Sequence, residues 1–239
     1  MASLLTEATD RATAPRLELL GGFRLGHSGS GCGLPAPAKR VVAYLALHEG
    51  PCRRHVIAEA LWPARLERRS SACLRQALQH ERRAGHGLIH SVGHELTLAA
   101  GVVVDVRQVS AAARDLVTAR GAAPAAGLEL SDLDHDLLPD WDEDWLTLDR
   151  ERFRELRLHA LELLCESWLQ AGRIGAAIDA ALRAVQADPL RESARSLLIR
   201  SYLAEGNRSA ALRSYRSYRL LLHEELGVEP PPALTELLR

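Results

Sequence analysis

The sequence predicts a mainly α protein of two parts. The first is an N-terminal winged helix-turn-helix with a small β-sheet and a wing hairpin. The second is a C-terminal all-α, tetratricopeptide-like helical domain. Three observations predict this. Short strand-like runs bracket three helix-like segments in the first 107 residues, and helical periodicity fills the rest, with one segment recurring after 34 residues. Charge also divides with the pattern: residues 16–107 hold 13 Arg and Lys against 7 Asp and Glu, and residues 108–239 hold 16 against 22. A formal net charge of −1 therefore hides a basic half and an acidic half.

The totals bound the class. At 239 residues, 47% hydrophobic and 26% charged, the chain is globular and long enough for two domains. Its cores must be aliphatic, because aromatics make up only 4%. Cys32, Cys52, Cys73 and Cys165 have no CxxC spacing and read as free thiols of a reducing cytoplasm. The start lacks the basic and apolar regions of a signal peptide, and no apolar run reaches membrane-span length, so the expected location is cytoplasmic, with no membrane partner.

Each element follows in order. Residues 1–15 are small and polar and read as a disordered tail. "RLELLGGFRLG" reads as a hairpin about Gly21-Gly22, and "HSGSGCGLPAP" as a turn, its glycines lacking the spacing of a phosphate-binding loop. "AKRVVAYLALHEG" is a helix with Val41, Val42, Leu45 and Ala46 inward. "RRHVIAEALWP" is a second, with Val56, Ile57, Ala60 and Leu61 on one side. "RSSACLRQALQHERRAG" is a third, with Ser70 or Ser71 as N-cap and Gly85 as its stop. "LIHSV-GH-ELTL" alternates about a tight Gly93-His94 turn, which supplies the wing.

Beyond residue 107, "VDVRQVSAAARDLVTA" begins the helices and "RGAAPAAG" interrupts them. "ERFRELRLHALELLCESWLQAG" sets Phe153, Leu156, Ala160, Leu161, Leu164 and Trp168 along one stripe, and helices near 174–187, 190–205 and 208–226 follow. "AGRIGAA" at 171–177 returns as "EGNRSAA" at 205–211, the kind of segment that turns between paired helices of a tetratricopeptide repeat.

The runs "LPAPAKRVVAYLALHEG", "IAEALWP", "CLRQAL", "RRAG", "LLPDWDEDWLTLDRERFRELRLHALE", "DPLRESAR" and "LLHEELGVEPPPAL", in this order, resemble the antibiotic-regulatory activators of actinobacteria, the SARP family. The likeness runs from about residue 16 to the C-terminus. It implies a winged helix joined to a bacterial transcriptional activation domain, with double-stranded promoter DNA and RNA polymerase as partners; the helical domain is expected either to form a homodimer on tandem repeats or to contact polymerase. The motifs themselves suggest no cofactor, metal or catalytic residue. Larger members append a nucleotide-binding domain, so the chain resembles the short form. The expected parts are the tail at 1–15, a DNA-binding domain at 16–107 and an activation domain at 108–239.

The candidate site lies on the third helix. Arg69, Gln76 and Gln79 suit base edges, because arginine matches guanine O6/N7 and glutamine adenine N6/N7. Arg75, Arg82 and Arg83 suit phosphates, and Ser71 and His94 complete the candidate DNA-binding set. His94 and Arg107 either reach the minor groove or backbone, or belong to an exposed turn. In the loop before this helix, Pro63, Arg65 and Glu67 are candidate polymerase contacts, with a plain connector as the competing reading. Two residues depart from the family pattern: Cys73 stands where an asparagine or similar polar residue is usual, and Glu81 where a large apolar residue is. Glu81 shares the inward face with Leu74, Ala77 and Leu78, so either it pairs with an arginine or the helix ends early and exposes it.

Other constellations carry less. His86, His90 and His94 recur every four residues but fall in a hairpin, where that spacing spans too far for zinc. Asp134, Asp136, Asp140, Asp142, Glu143 and Asp144 surround Trp141 and Trp145, which read as anchors docking this segment on helices, not as a hydrolytic or metal site. The main rival to a transcription activator is a tetratricopeptide-like adaptor whose winged helix no longer reads DNA; a hydrolase is the remote third class.

Overall fold

The computed structural model describes residues 15–26, 33–119 and 128–239. The tail, the turn at 27–32 and the interruption at 120–127 lie outside them. The described chain forms two compact units that no single cut in the sequence separates. One comprises residues up to Gln108 together with Asp136–Arg150, the other Val109–His135 with Glu151–Arg239.

In the first unit, β1 (Arg16–Glu18) and β2 (Arg24–Gly26) pair antiparallel, as the double glycine between them requires, and β6 (Val103–Val104) adds in parallel to β1. Helices α1 (Ala36–Leu47), α2 (Arg54–Leu61) and α3 (Glu67–Ala84) follow. The wing is β4 (Ile89–Val92) and β5 (Glu95–Leu98), with β3 (Cys52–Arg53) on the far edge of β5. Val41, Leu45, Ile57, Leu61, Leu74, Leu78 and Leu96 bring all three helices and the wing into one core.

This core corrects the expected face of α2. Val56 is exposed and Ala60 only half-buried, while Ala58 is buried beside Ile57 and Leu61, so the helix is rotated by part of a turn from its expected register.

The tryptophan-rich segment belongs to this first unit. Trp141 stacks on Phe23 at 5.9 Å, and Trp145 lies against Tyr44 at 5.4 Å. Arg150 donates to the carbonyls of Leu137, Leu138 and Trp141, holding Leu138 at φ 44°, a conformation a non-glycine residue seldom adopts. Glu143 accepts from Arg40 at 2.5 Å and from the Trp145 indole at 3.1 Å.

The second unit is built from the later part of α4 (Asp105–Thr118), from α5 (Thr147–Gln170) past its first turn, and from α6 (Ile174–Ala187), α7 (Glu192–Ala204), α8 (Arg208–Leu226) and α9 (Pro232–Glu236). The 34-residue recurrence is visible in backbone geometry. Gly172 and Gly206 take φ 71° and 80°, the left-handed region that lacks a steric penalty only for glycine. The next residues close the same capping bond, Arg173 N–H to Trp168 O and Asn207 N–H to Tyr202 O, at 2.8 and 2.9 Å.

Small residues then let the helices approach: Ala177, Ala180, Ala181 and Ala184 of α6 are all buried. Ile199, Ala211, Tyr218, Leu222, Leu234 and Leu238 form a further core under α9. Along α5, Leu158 and Cys165 are fully buried and Leu156 and Trp168 only partly, which shifts the expected stripe. Trp168 instead lies beneath the Arg173 guanidinium at 5.4 Å. Among the described residues, no helix is long and apolar enough to cross a membrane.

Candidate nucleic-acid interface

Helix α3 is strongly two-sided because its sequence alternates arginine pairs with a narrow aliphatic seam. Leu74, Ala77 and Leu78 are buried, which fixes the rotation of the helix. Rotation at 100° per residue then turns Gln76 away from Leu74. Arg69, Arg75, Gln76, Gln79, Arg82 and Arg83 are all exposed, and Ser71 is half-buried on the flank. Among the described residues, none of these arginines meets a carboxylate, so their guanidinium donors face solvent. Such a surface can offer bidentate donors to phosphates or to guanine edges.

The helix starts earlier than its serines suggest. It begins at Glu67 with no side-chain cap, and Ser70, 2% exposed, donates from Oγ to the Glu67 carbonyl at 2.9 Å. Ser70 and Ser71 are therefore not N-caps; the extra first turn carries Arg68 and Arg69 within the helix. Gly85 ends α3 in the left-handed conformation, as expected.

Glu81 takes neither of its two expected fates. It is 2% exposed, within the helix, and its Oε1 accepts the Leu88 backbone N–H at 2.7 Å. The carboxylate thus ties the C-terminal end of α3 to the residue that opens the wing strand β4. A buried carboxylate is tolerable when a donor is aimed at it, and the Leu88 backbone N–H beyond the helix end supplies one.

The wing is tied to α2 as well. The His94 carbonyl accepts from the Arg54 N–H at 3.0 Å, and Arg54 Nη2 donates to Ser91 Oγ at 2.6 Å, while the His94 ring is exposed at the tip. Arg107 is not available at the wing. Its guanidinium donates to the carbonyls of Leu45, Ala46 and His48, capping the C-terminus of α1 at 2.7 to 3.3 Å. Its helix-capping role is neither the expected groove contact nor the alternative exposed turn.

Pro63, Arg65 and Glu67 are exposed, together with Leu66 at 75%. Sequence reasoning missed what holds this loop. Arg40 donates to the Leu61 carbonyl at 2.7 Å as well as to Glu143, and its guanidinium lies 5.7 Å over Trp62. No local pattern signals a bond between residues 103 apart in sequence. His86, His90 and His94 occupy the turn and wing, and among the described residues no three His, Cys, Asp or Glu side chains converge as metal ligands would.

Comparison with known proteins places this architecture. Residues 104–239 match the bacterial transcriptional activator domain. The chain is 30% identical over 243 aligned residues to the regulatory protein AfsR of Streptomyces coelicolor, an alignment covering 95% of this chain and 24% of that protein. It is 34% identical over 135 residues to AfsR of Streptomyces griseus, covering 52% of this chain and 14% of that one. The chain thus spans about a quarter or less of the length of these relatives. The structure of Mycobacterium tuberculosis EmbR in complex with a low-affinity phosphopeptide superposes with a TM-score of 0.74 at 21% identity, over 94% of this chain and 64% of that one. The fold is shared, a winged helix with a helical domain. With more than half its length inside the family's defining domain, the chain belongs to the bacterial transcriptional activator domain family, as a regulator of the SARP type.

Proposed function

We propose that the chain is a sequence-specific DNA-binding transcription activator of the cytoplasm, a pathway-specific regulator of a secondary-metabolite gene cluster. Residues 16–107 supply the DNA-reading part and residues 108–239 the activating part. The observation that carries this reading is the exposed face of α3, where arginines and glutamines without carboxylate partners lie opposite a buried leucine seam. Arg69, Gln76 and Gln79 read base edges; Arg75, Arg82 and Arg83 hold phosphates, with Ser71 and His94 at the margins. Pro63, Arg65 and Glu67 contact RNA polymerase from the loop after α2, whose last residue, Leu61, is bonded to Arg40. Copies pair as a homodimer on tandem promoter repeats.

The rival reading is an adaptor whose winged helix no longer reads DNA, for which a misfit such as Glu81 on the inward face of α3 would be a sign of decay. A carboxylate bonded to the Leu88 N–H is an integrated part of the fold, so Glu81 lends that reading no support. The test is a mobility-shift titration of the full chain on promoter fragments at several salt concentrations. The proposal expects selective retention whose log affinity falls linearly with log salt, with a slope of roughly −0.9 per phosphate contacted. Absence of any shift at low salt would leave the winged helix as a protein-binding module.

A further inference from the structure

The second unit treats four of its arginines differently from α3. Arg154 meets Asp188 at 3.2 Å, Arg191 meets Glu162 and Glu155 at 2.8 and 3.0 Å, and Arg200 meets Glu166 at 3.9 Å. Arg183 is paired with Asp134 and Asp179. Helix α8 breaks this pattern. Arg213, Arg216 and Arg219 are exposed, and none meets a carboxylate among the described residues.

The helix sequence gives the reason. The positions three and four residues from Arg213 and Arg216 hold Ser, Ala, Leu or another Arg, so no acid is within helical reach. The three guanidinium groups repel one another, a small cost that an external anion would remove. Ala211, Ser214, Tyr218 and Leu222 are buried on the opposite side and set the rotation of the helix. Between Arg213 and Arg216 on the exposed arc sits Leu220, 58% exposed.

We propose that this face of α8 is a docking surface for an acidic segment of RNA polymerase that also carries an apolar side chain to cover Leu220. The inference rests on the polymerase-recruitment reading above and gives it a second surface. Charge complementarity calls for a polyanion, and Leu220 decides which kind. A phosphate backbone offers little apolar surface to cover a leucine at the C-terminal end of the patch, whereas protein interfaces concentrate arginine around apolar contacts.

The test uses the full chain, with purified RNA polymerase holoenzyme as the probe. Three proteins are compared: the unaltered chain, the triple variant Arg213→Gln, Arg216→Gln, Arg219→Gln, and the single variant Leu220→Ser. Direct binding to holoenzyme is measured by fluorescence anisotropy, operator binding by mobility shift, and helicity by circular dichroism. Holoenzyme affinity is expected to fall about tenfold or more in the triple variant and several-fold in Leu220→Ser, as for residues at the centre of an interface. Operator affinity and its salt slope should stay unchanged. Should the triple variant lose helicity, Leu220→Ser decides alone, because its side chain is exposed.

Unchanged holoenzyme affinity in folded variants would overturn the docking surface and leave polymerase recruitment standing. Failure of the unaltered chain to bind holoenzyme would overturn both. A triple variant that keeps holoenzyme affinity but binds operator with a shallower salt slope would make the face a DNA contact instead.

Discussion

Helix α3 and the second unit solve the same compositional problem in opposite ways. Basic charge is almost wholly arginine in both, Lys39 being the only lysine. On α3 the guanidinium groups project into solvent without carboxylates. In the second unit, Arg191 is bracketed by Glu155 and Glu162, and their carboxylates hold its guanidinium well above the ordinary arginine range. The difference teaches that net charge is a poor guide to function and charge availability a better one. A paired arginine is structural, because releasing it exposes two desolvated charges; an unpaired one is free to meet a phosphate.

The contrast can be broken most severely from beneath. Leu74→Ala removes the buried seam that aims the α3 arginines outward, and is expected to destabilise the first unit by about 2–5 kcal/mol. Thermal melting followed by circular dichroism should show this as a large fall in the first unit's midpoint. Arg191→Ala attacks the paired side of the comparison. It leaves Glu162, itself mostly buried, with only the Ser193 hydroxyl, and should cost about 1–3 kcal/mol, discounted because Glu155 is 42% exposed. Chemical denaturation is expected to show a lowered midpoint for this variant.

Glu81→Leu comes next and carries an informative sign. An unpaired buried carboxylate would make leucine stabilising; the bond to the Leu88 N–H makes it destabilising, by about 1–3 kcal/mol, since a buried donor is orphaned. Glu81→Gln keeps an acceptor and should lose less. A rise in melting temperature for Glu81→Leu would remove the bond from the account. At the small end, Arg82→Ala should change stability by no more than about 0.5 kcal/mol, because its side chain is exposed and unpaired.

These effects also mark which parts of the molecule were legible in the sequence. Elements whose signals are local came through. Gly21-Gly22 and Gly93-His94 turn hairpins, Gly85 stops α3, and the recurrence of Gly172 as Gly206 marks two equivalent helix turns. Residues tied to distant partners did not. Glu81 looked anomalous because its donor, the Leu88 N–H, lies beyond the end of the helix, where wheel geometry says nothing. Trp141 and Trp145 could be recognised as anchors, but their aromatic partners Phe23 and Tyr44 are about a hundred residues away in sequence.

Local capping logic also misled. Ser70 and Ser71 have cap-forming side chains, yet α3 starts at Glu67, and Ser70 turns its hydroxyl back onto that residue's carbonyl. Arg107 was legible as a basic residue near the wing, but α1's unsatisfied C-terminal carbonyls, 59 to 62 residues earlier, take its donors. The exposed face of α3 needed only helical periodicity, which is why its residues stand where the pattern puts them.

The central claim, that unpaired side chains on α3 read DNA by two different means, is tested most directly by one set of affinities. Full-length protein, Gln76→Ala and Arg82→Ala are titrated against an operator and a panel of its single-base variants at fixed salt. Gln76→Ala is expected to lose roughly 1–3 kcal/mol of discrimination at one base position and little elsewhere. Arg82→Ala should weaken every sequence alike and reduce the salt slope by about one. An unchanged base preference in Gln76→Ala, with Arg82→Ala binding as tightly as the unaltered chain, would contradict the account.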